Sequence, residues 1–191
     1  MMKTKIKLVM QAKPKDVAGW PHINFDYQQA ADQILEALHA RMPEAEFDTF
    51  ITSDEEEARA NFEEDKKKYD GLVLITATNA PEVHNVYCDL ADTDFPIVVA
   101  DLPHGGSGAF LTVTTRVSKE NLPIGLVSSM DYRDIAEVVQ NIEVLKQLRQ
   151  ERILIVSDNP DNRFFAPEKL EALRKNWGCG HVIKTSQDVF E

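Results

Sequence analysis

The chain has 191 residues, with 21 basic and 32 acidic side chains and a formal net charge of −11 at pH 7. Hydrophobic residues make up 43% of the chain, which is typical of a folded globular protein. The acidic excess excludes a general binder of nucleic acids or anionic membranes, because both partners are polyanions. Cys88 and Cys179 lie far apart in the sequence and outside any CxxC motif. We therefore expect reduced thiols and a cytoplasmic protein.

Apolar and amphipathic segments alternate along the first 150 residues. Tyr27 begins a helical pattern with Asp26 as its cap, and Ser53 with Glu56 has the spacing of a capping box. Buried strands are predicted at residues 6–10, 46–52, 71–77, 96–100 and 123–128. The further helices are predicted at residues 53–69, 81–90 and 131–150.

This alternation predicts a doubly wound parallel sheet of the flavodoxin or Rossmann type, with helices on both faces in an αβα arrangement. Residues 1–150 would form this N-terminal domain. Residues 151–191 repeat the pattern, with strands at 152–157 and 181–185 and a helix at 167–177. They are interpreted as the beginning of a second α/β domain that is truncated.

Ligands of open parallel sheets bind at the carboxyl ends of the strands, which here nominates the loops at residues 11–24, 78–81, 101–108 and 128–132. The first of these loops is not the compact, hydroxyl-rich phosphate loop of a flavodoxin. Trp20 offers either a flat apolar face for a sugar ring or a subunit contact. The candidate binding side chains that these loops carry are Trp20, His22 and His104.

The third loop is rich in glycine, which lets backbone amides approach a ligand closely. It is neither GxGxxG nor GxSxG, because Leu111 and Ala109 replace the final glycines, and no GK[ST] follows. The loop is predicted to be a ligand or interface loop, with tight-turn glycines as the alternative and a Ser107 nucleophile as a distant third. Its residues are Gly105, Gly106, Ser107 and Gly108. No metal ligands are predicted, because the histidines lack zinc spacing.

Three segments carry a family resemblance: GLVLITATNAPEVHN, VVADLPHGGSGAF and VSSMDYRDIAEVVQNIEVLKQLRQERILIV. Together they resemble the N-terminal region of the L-fucose and L-arabinose isomerase group, over residues 6–165. The resemblance implies aldose–ketose isomerisation with a divalent metal such as manganese, in a cytosolic homo-oligomer. It also implies that residues 11–22 and 78–79 line a sugar pocket shared between subunits. The side chains that it implies for this pocket are Gln11, Trp20 and His22, together with Thr78 and Asn79.

The metal ligands of that family lie in later domains, so the resemblance implies a chain that contributes pocket and interface loops without a complete isomerase site. A stand-alone sugar-binding or assembly module is the alternative. The segments DGLVLIT and PIVVAD also resemble strands of periplasmic-type and repressor-type sugar-binding domains.

Overall fold

A computed structural model describes residues 3–14, 16–159 and 166–190. The chain divides into two compact units between residues 142 and 143. The larger unit contains a five-stranded sheet, in which every neighbouring pair of strands is parallel. In chain order its strands are β1 (Lys5–Gln11), β2 (Glu46–Thr52), β3 (Gly71–Thr76), β4 (Ile97–Asp101) and β5 (Ile124–Val127).

The strand order β2-β1-β3-β4-β5 is that of the flavodoxin-like doubly wound fold. The predicted fold class is therefore confirmed. The winding direction reverses between β1 and β3, where open α/β sheets form a crevice at the carboxyl ends of their strands.

Helices cover both faces of this sheet, and each face has its own hydrophobic core. The helices are α1 (Tyr27–Arg41), α2 (Glu55–Lys68), α3 (Val83–Leu90), α4 (Ser107–Glu120) and α5 (Tyr132–Gln150). One core contains Ile34 of α1 and Ile135 of α5, and the other contains Phe62 of α2, Tyr87 of α3 and Val113 of α4.

Local capping explains where two helices begin. The Asp26 side chain accepts a hydrogen bond from the amide of Gln29, so the predicted cap of α1 is confirmed. The predicted cap of α2 is wrong by one residue. Asp54, rather than Ser53, accepts from the first amides of α2, at 2.8 and 3.0 Å.

Helix α4 was not predicted from the sequence. Threonine and valine occupy five of the six positions from 112 to 117, and β-branched residues have weak helix propensity. Its apolar face is nevertheless buried through Ala109, Phe110 and Val113. Packing against the sheet therefore decides the conformation of this segment.

The second unit begins at residue 143, within α5. It contains β6 (Arg152–Val156), α6 (Pro167–Trp177), β7 (Gly180–Lys184) and α7 (Ser186–Phe190), and β6 pairs with β7 in parallel. The interpretation of this unit as the start of a larger domain stays a prediction. Over the described ranges, no helix is both long enough and apolar enough to cross a membrane.

Candidate functional site

A cleft of about 620 Å³ opens at the carboxyl end of the sheet, between the loop after β1 and the loop after β4. We call it the aromatic cleft. The first loop supplies Trp20 and His22, and the second supplies His104. The lining is completed by Pro21, Asn24, Phe25, Asp26, Gln29, Ala30, Gln33, Leu102, Pro103, Gly105 and Tyr132.

The aromatic cleft combines ring faces with few charges. The side chain of Trp20 is 65% exposed, and the rings of His22 and Phe25 meet edge to face with centroids 5.5 Å apart. None of the described lining residues is Lys or Arg, and Asp26 is the only carboxylate among them. Because Asp26 caps α1, it is already committed to the helix amides.

Two hydrogen bonds anchor the loop after β1 to the body of the unit, and a third lies within the loop. The Lys13 ammonium donates to the carbonyl of Gly19 at 2.8 Å, and the backbone amide of Lys13 donates to the hydroxyl of Tyr27 at 3.3 Å. The Thr78 hydroxyl, which lies in the loop after β3, donates to the carbonyl of Trp20 at 2.9 Å. These bonds place Trp20 at the rim of the cleft.

Gln11 does not line the aromatic cleft, although it was predicted to bind ligand. Its side chain is fully buried at the end of β1, where it donates to the carbonyl of Thr78 at 2.5 Å. Its amide oxygen accepts from the backbone amide of His84 at 2.8 Å, and the His84 ring nitrogen Nδ1 lies 3.0 Å away. Burial lowers the pKa of His84, so this imidazole is a neutral partner of Gln11.

The glycine-rich loop packs tightly against the end of β3. A Cβ on Gly106 would lie 2.0 Å from the carbonyl oxygen of Thr76, and one on Gly105 would lie 2.8 Å from that of Ala77. A Cβ on Gly108 would lie 2.8 Å from the side chain of Asn79. Close packing therefore requires these glycines, and of the three only Gly105 lines the aromatic cleft.

Polar side chains around this loop hold secondary structure together. The side-chain oxygen of Asn79 accepts a hydrogen bond from the amide of Ala109 at 3.1 Å and so satisfies an amide in the first turn of α4. The hydroxyl of Ser107 donates to the carboxylate of Asp101 at 3.1 Å, and the hydroxyl of Ser128 donates to the same carboxylate at 3.1 Å. Asp101 thereby links the ends of β4 and β5 to α4.

The structure divides the ten predicted binding residues into two groups. Trp20, His22, His104 and Gly105 come together in the aromatic cleft, whereas Gln11, Thr78, Asn79, Gly106, Ser107 and Gly108 support the surrounding loops. The binding role of the first group stays a prediction. Sequence reasoning did not predict that Phe25 and Tyr132 line the cleft. The available signal was an aromatic residue close to the start of a helix that follows a strand end.

A second cleft, of about 700 Å³, lies on the β2 side of the same loop and shares the wall formed by residues 24–26. Lys13 and Asp16 line it, together with Tyr27 and Ser53. Burial raises the pKa of Tyr27, so this phenol stays protonated at neutral pH. The second cleft therefore presents opposite charges and a hydroxyl, unlike the aromatic cleft.

No family model and no curated protein match the chain. Among solved structures, the chain is similar to the crystal structure of a diflavin flavoprotein from Nostoc sp., with 11% identity and a TM-score of 0.45. The match covers 74% of this chain and 92% of the other. A likeness of this size says nothing about what the present chain binds.

These comparisons correct the isomerase resemblance, which is wrong. No isomerase family model and no curated isomerase matches the chain, and the similar solved structure is named as a flavoprotein. The sugar isomerisation and the manganese that the resemblance implied are therefore wrong as well. In the described part of the chain, no group of three or more His, Cys, Asp or Glu side chains is placed to hold a metal ion.

Proposed function

We propose that the larger unit binds a planar, uncharged heteroaromatic ligand in the aromatic cleft. The observation that carries the proposal is the composition of the lining, in which Trp20, His22, Phe25, His104 and Tyr132 surround a cleft of about 620 Å³. Ligand pockets for small molecules have volumes of roughly 300–1,000 Å³ and are lined mainly by apolar and aromatic groups. The location, at the carboxyl edge of a doubly wound sheet, supports the same use.

The charge of the lining favours an uncharged ligand. Phosphates are recognised by Arg, Lys or free helix amides, and none of the described lining residues is Lys or Arg. The amides of Asn24 and Gln33 can donate to and accept from polar edges of a ring. A heterocycle with amide-like edges therefore matches the cleft better than a phosphorylated nucleotide does.

Trp20 is the side chain on which such a ring would stack. Its indole is exposed, and its backbone carbonyl is held by Thr78, so little ordering is needed when a ligand arrives. Stacking of one base on an aromatic side chain contributes about 1–3 kcal/mol. Removing the indole should then weaken binding by about 5- to 150-fold.

The test is a titration with riboflavin, flavin mononucleotide and adenosine, followed by ligand and protein fluorescence. We expect saturable binding of riboflavin or adenosine, and weaker binding of flavin mononucleotide because it adds a phosphate. Trp20→Ala should weaken binding, whereas Val17→Ala should not. Val17 is a matched control because it is 47% exposed on the same loop and does not line the cleft. Absence of saturable binding by all three probes would overturn the proposal.

The expected location and the expected oligomeric state of the protein stay predictions. The cytoplasmic location is supported by Cys88 and Cys179, which are both buried and would be protected as thiols in a reducing compartment. A homo-oligomer is also expected, and size-exclusion chromatography with light scattering measures it directly.

A further inference from the structure

The loop that carries Trp20 depends on few contacts of its own. Residues 16–20 are all exposed. Its turn hydrogen bonds, from the amide of Val17 to the carbonyl of Pro14 and from the amide of Phe25 to the carbonyl of His22, are long at 3.4 and 3.3 Å. A shorter bond inside the loop, from the Lys13 ammonium to the carbonyl of Gly19 at 2.8 Å, holds the residue before Trp20, and Trp20 itself is held from outside the loop.

Thr78 is the anchor closest to the indole. It is 2% exposed, and its hydroxyl lies 2.9 Å from the carbonyl oxygen of Trp20 and 3.1 Å from that of Ala80. The hydroxyl of Tyr27 also makes a hydrogen bond with the Thr78 side chain. One buried hydroxyl thus joins the loop after β1, the loop after β3 and the first residue of α1.

Hydrogen bonds to neighbouring elements hold the backbone of Thr78 and the side chain of Asn79. Its own backbone carbonyl accepts from Gln11, which is fully buried and is held in turn by His84. The next residue, Asn79, accepts from the amide of Ala109 in α4. The loop after β3 therefore connects the loop after β1 to the end of β1 and to the first turn of α4.

We propose that Thr78 is a positioning residue, whose hydroxyl holds Trp20 at the rim of the aromatic cleft without contacting ligand. Thr78 is not among the residues that line the cleft. Removing the hydroxyl leaves the carbonyl of Trp20 without this donor, so the indole samples a wider range of positions. The consequence for ligand affinity rests on the proposed function, whereas the consequence for the mobility of Trp20 does not.

The experiment measures the fluorescence anisotropy decay of Trp20 in the ligand-free protein. The chain has two tryptophans, so a Trp177→Phe background makes Trp20 the single reporter. In Thr78→Val, which keeps the shape and removes the hydroxyl, we expect the amplitude of the fast depolarisation to rise about twofold. Thr78→Ser restores the hydroxyl and should restore the decay of the background protein.

Thr76→Val is the matched control for loss of stability. Thr76 is also fully buried near the end of β3, but its hydroxyl donates to the carbonyl of Ala100 at 3.2 Å rather than to the loop after β1. We expect its anisotropy decay to match that of the background protein. An equal decay in Thr78→Val and Thr76→Val would overturn the proposal. If Thr78→Val does not fold, Thr78→Ala replaces it in the same comparison.

A second readout separates this proposal from the proposed function. Where riboflavin or adenosine binds, Thr78→Val should raise its Kd by about 2- to 12-fold, which corresponds to one hydrogen bond, and Thr78→Ser should restore it. An unchanged Kd in Thr78→Val would also overturn the positioning role. If no probe binds, the proposed function fails, while the anisotropy comparison still decides the role of Thr78.

Discussion

A methyl group added at Gly106 should destabilise the protein strongly. The backbone of Gly106 has φ −109°, which other residues adopt, so its conformation does not require glycine. The new Cβ would lie 2.0 Å from the carbonyl oxygen of Thr76, 2.4 Å from the carbonyl carbon of Thr76 and 2.8 Å from the amide nitrogen of Thr78. The closest of these is about 1.4 Å inside ordinary contact, and all three are backbone atoms.

The size of the effect follows from those neighbours. Inserting a methyl group into a well-packed site costs about 1–3 kcal/mol when side chains can adjust. Here Thr76 belongs to the central strand β3, which is hydrogen-bonded on both sides, so its backbone cannot move without disturbing β1 or β4. We therefore expect Gly106→Ala to lower the free energy of unfolding by about 3 kcal/mol or more, a large part of the roughly 5–15 kcal/mol typical of a domain.

Urea unfolding followed by circular dichroism measures this difference, with Gly125→Ala as the control. A Cβ on Gly125 would meet Val98 at 3.5 Å, which is an ordinary contact, so this variant should be unchanged or more stable by about 0.5 kcal/mol. A Gly106→Ala protein within about 0.5 kcal/mol of the parent would refute the assignment of these glycines to packing.

Two further expectations concern buried titratable groups. Burial lowers the pKa of His84 from its usual 6.5, so the free energy of unfolding should fall as the pH drops below that value, by at most about 1.4 kcal/mol per pH unit. In urea unfolding at several pH values, His84→Gln should flatten this dependence on pH, whereas His39→Gln, at an exposed site, should leave it unchanged. An unaltered slope in the first variant would contradict the burial argument. Burial raises the pKa of Cys88 to about 11, so in a Cys179→Ser background a disulfide reagent at pH 8 should label it only after unfolding. Rapid labelling of the native protein would contradict this.

The sequence was a good guide to the sheet. Continuous apolar runs such as residues 71–77 can be buried only on both faces, which requires crossover helices and hence a parallel arrangement. The strand order β2-β1-β3-β4-β5 was not predicted, because the same alternation fits both the flavodoxin and the Rossmann order. Helix α4 was not predicted because its β-branched residues have a weak preference for the helical conformation. The burial of Phe110 and Val113 against the sheet stabilises it instead.

The sequence was a poorer guide to the site. The family resemblance implied Gln11 and Thr78 as binding residues, and the position of the glycine-rich loop at a strand end nominated Ser107. Their hydrogen bonds instead run to Thr78, Trp20 and Asp101 and hold the loops together. A polar residue at a strand end has the same local sequence in either role, so the sequence cannot separate them.

The family resemblance failed for a related reason. It rested on the order of loops and on glycines after an aspartate-ended strand, and neither feature identifies a function because one fold hosts many functions. Gly106 is glycine because α4 begins against the backbone of Thr76, whatever the ligand is.

Composition and periodicity by themselves determined the class of fold and the alternation of strands and helices, whereas the expected absence of polyanionic partners stays a prediction. Only the tertiary structure decided that Trp20, His22 and His104 share one cleft while Gln11 turns inward. The physical reason is that periodicity records which face of an element is buried, through contacts close in sequence. The convergence of side chains from loops 80 residues apart depends instead on how the sheet brings the ends of β1 and β4 to the same edge.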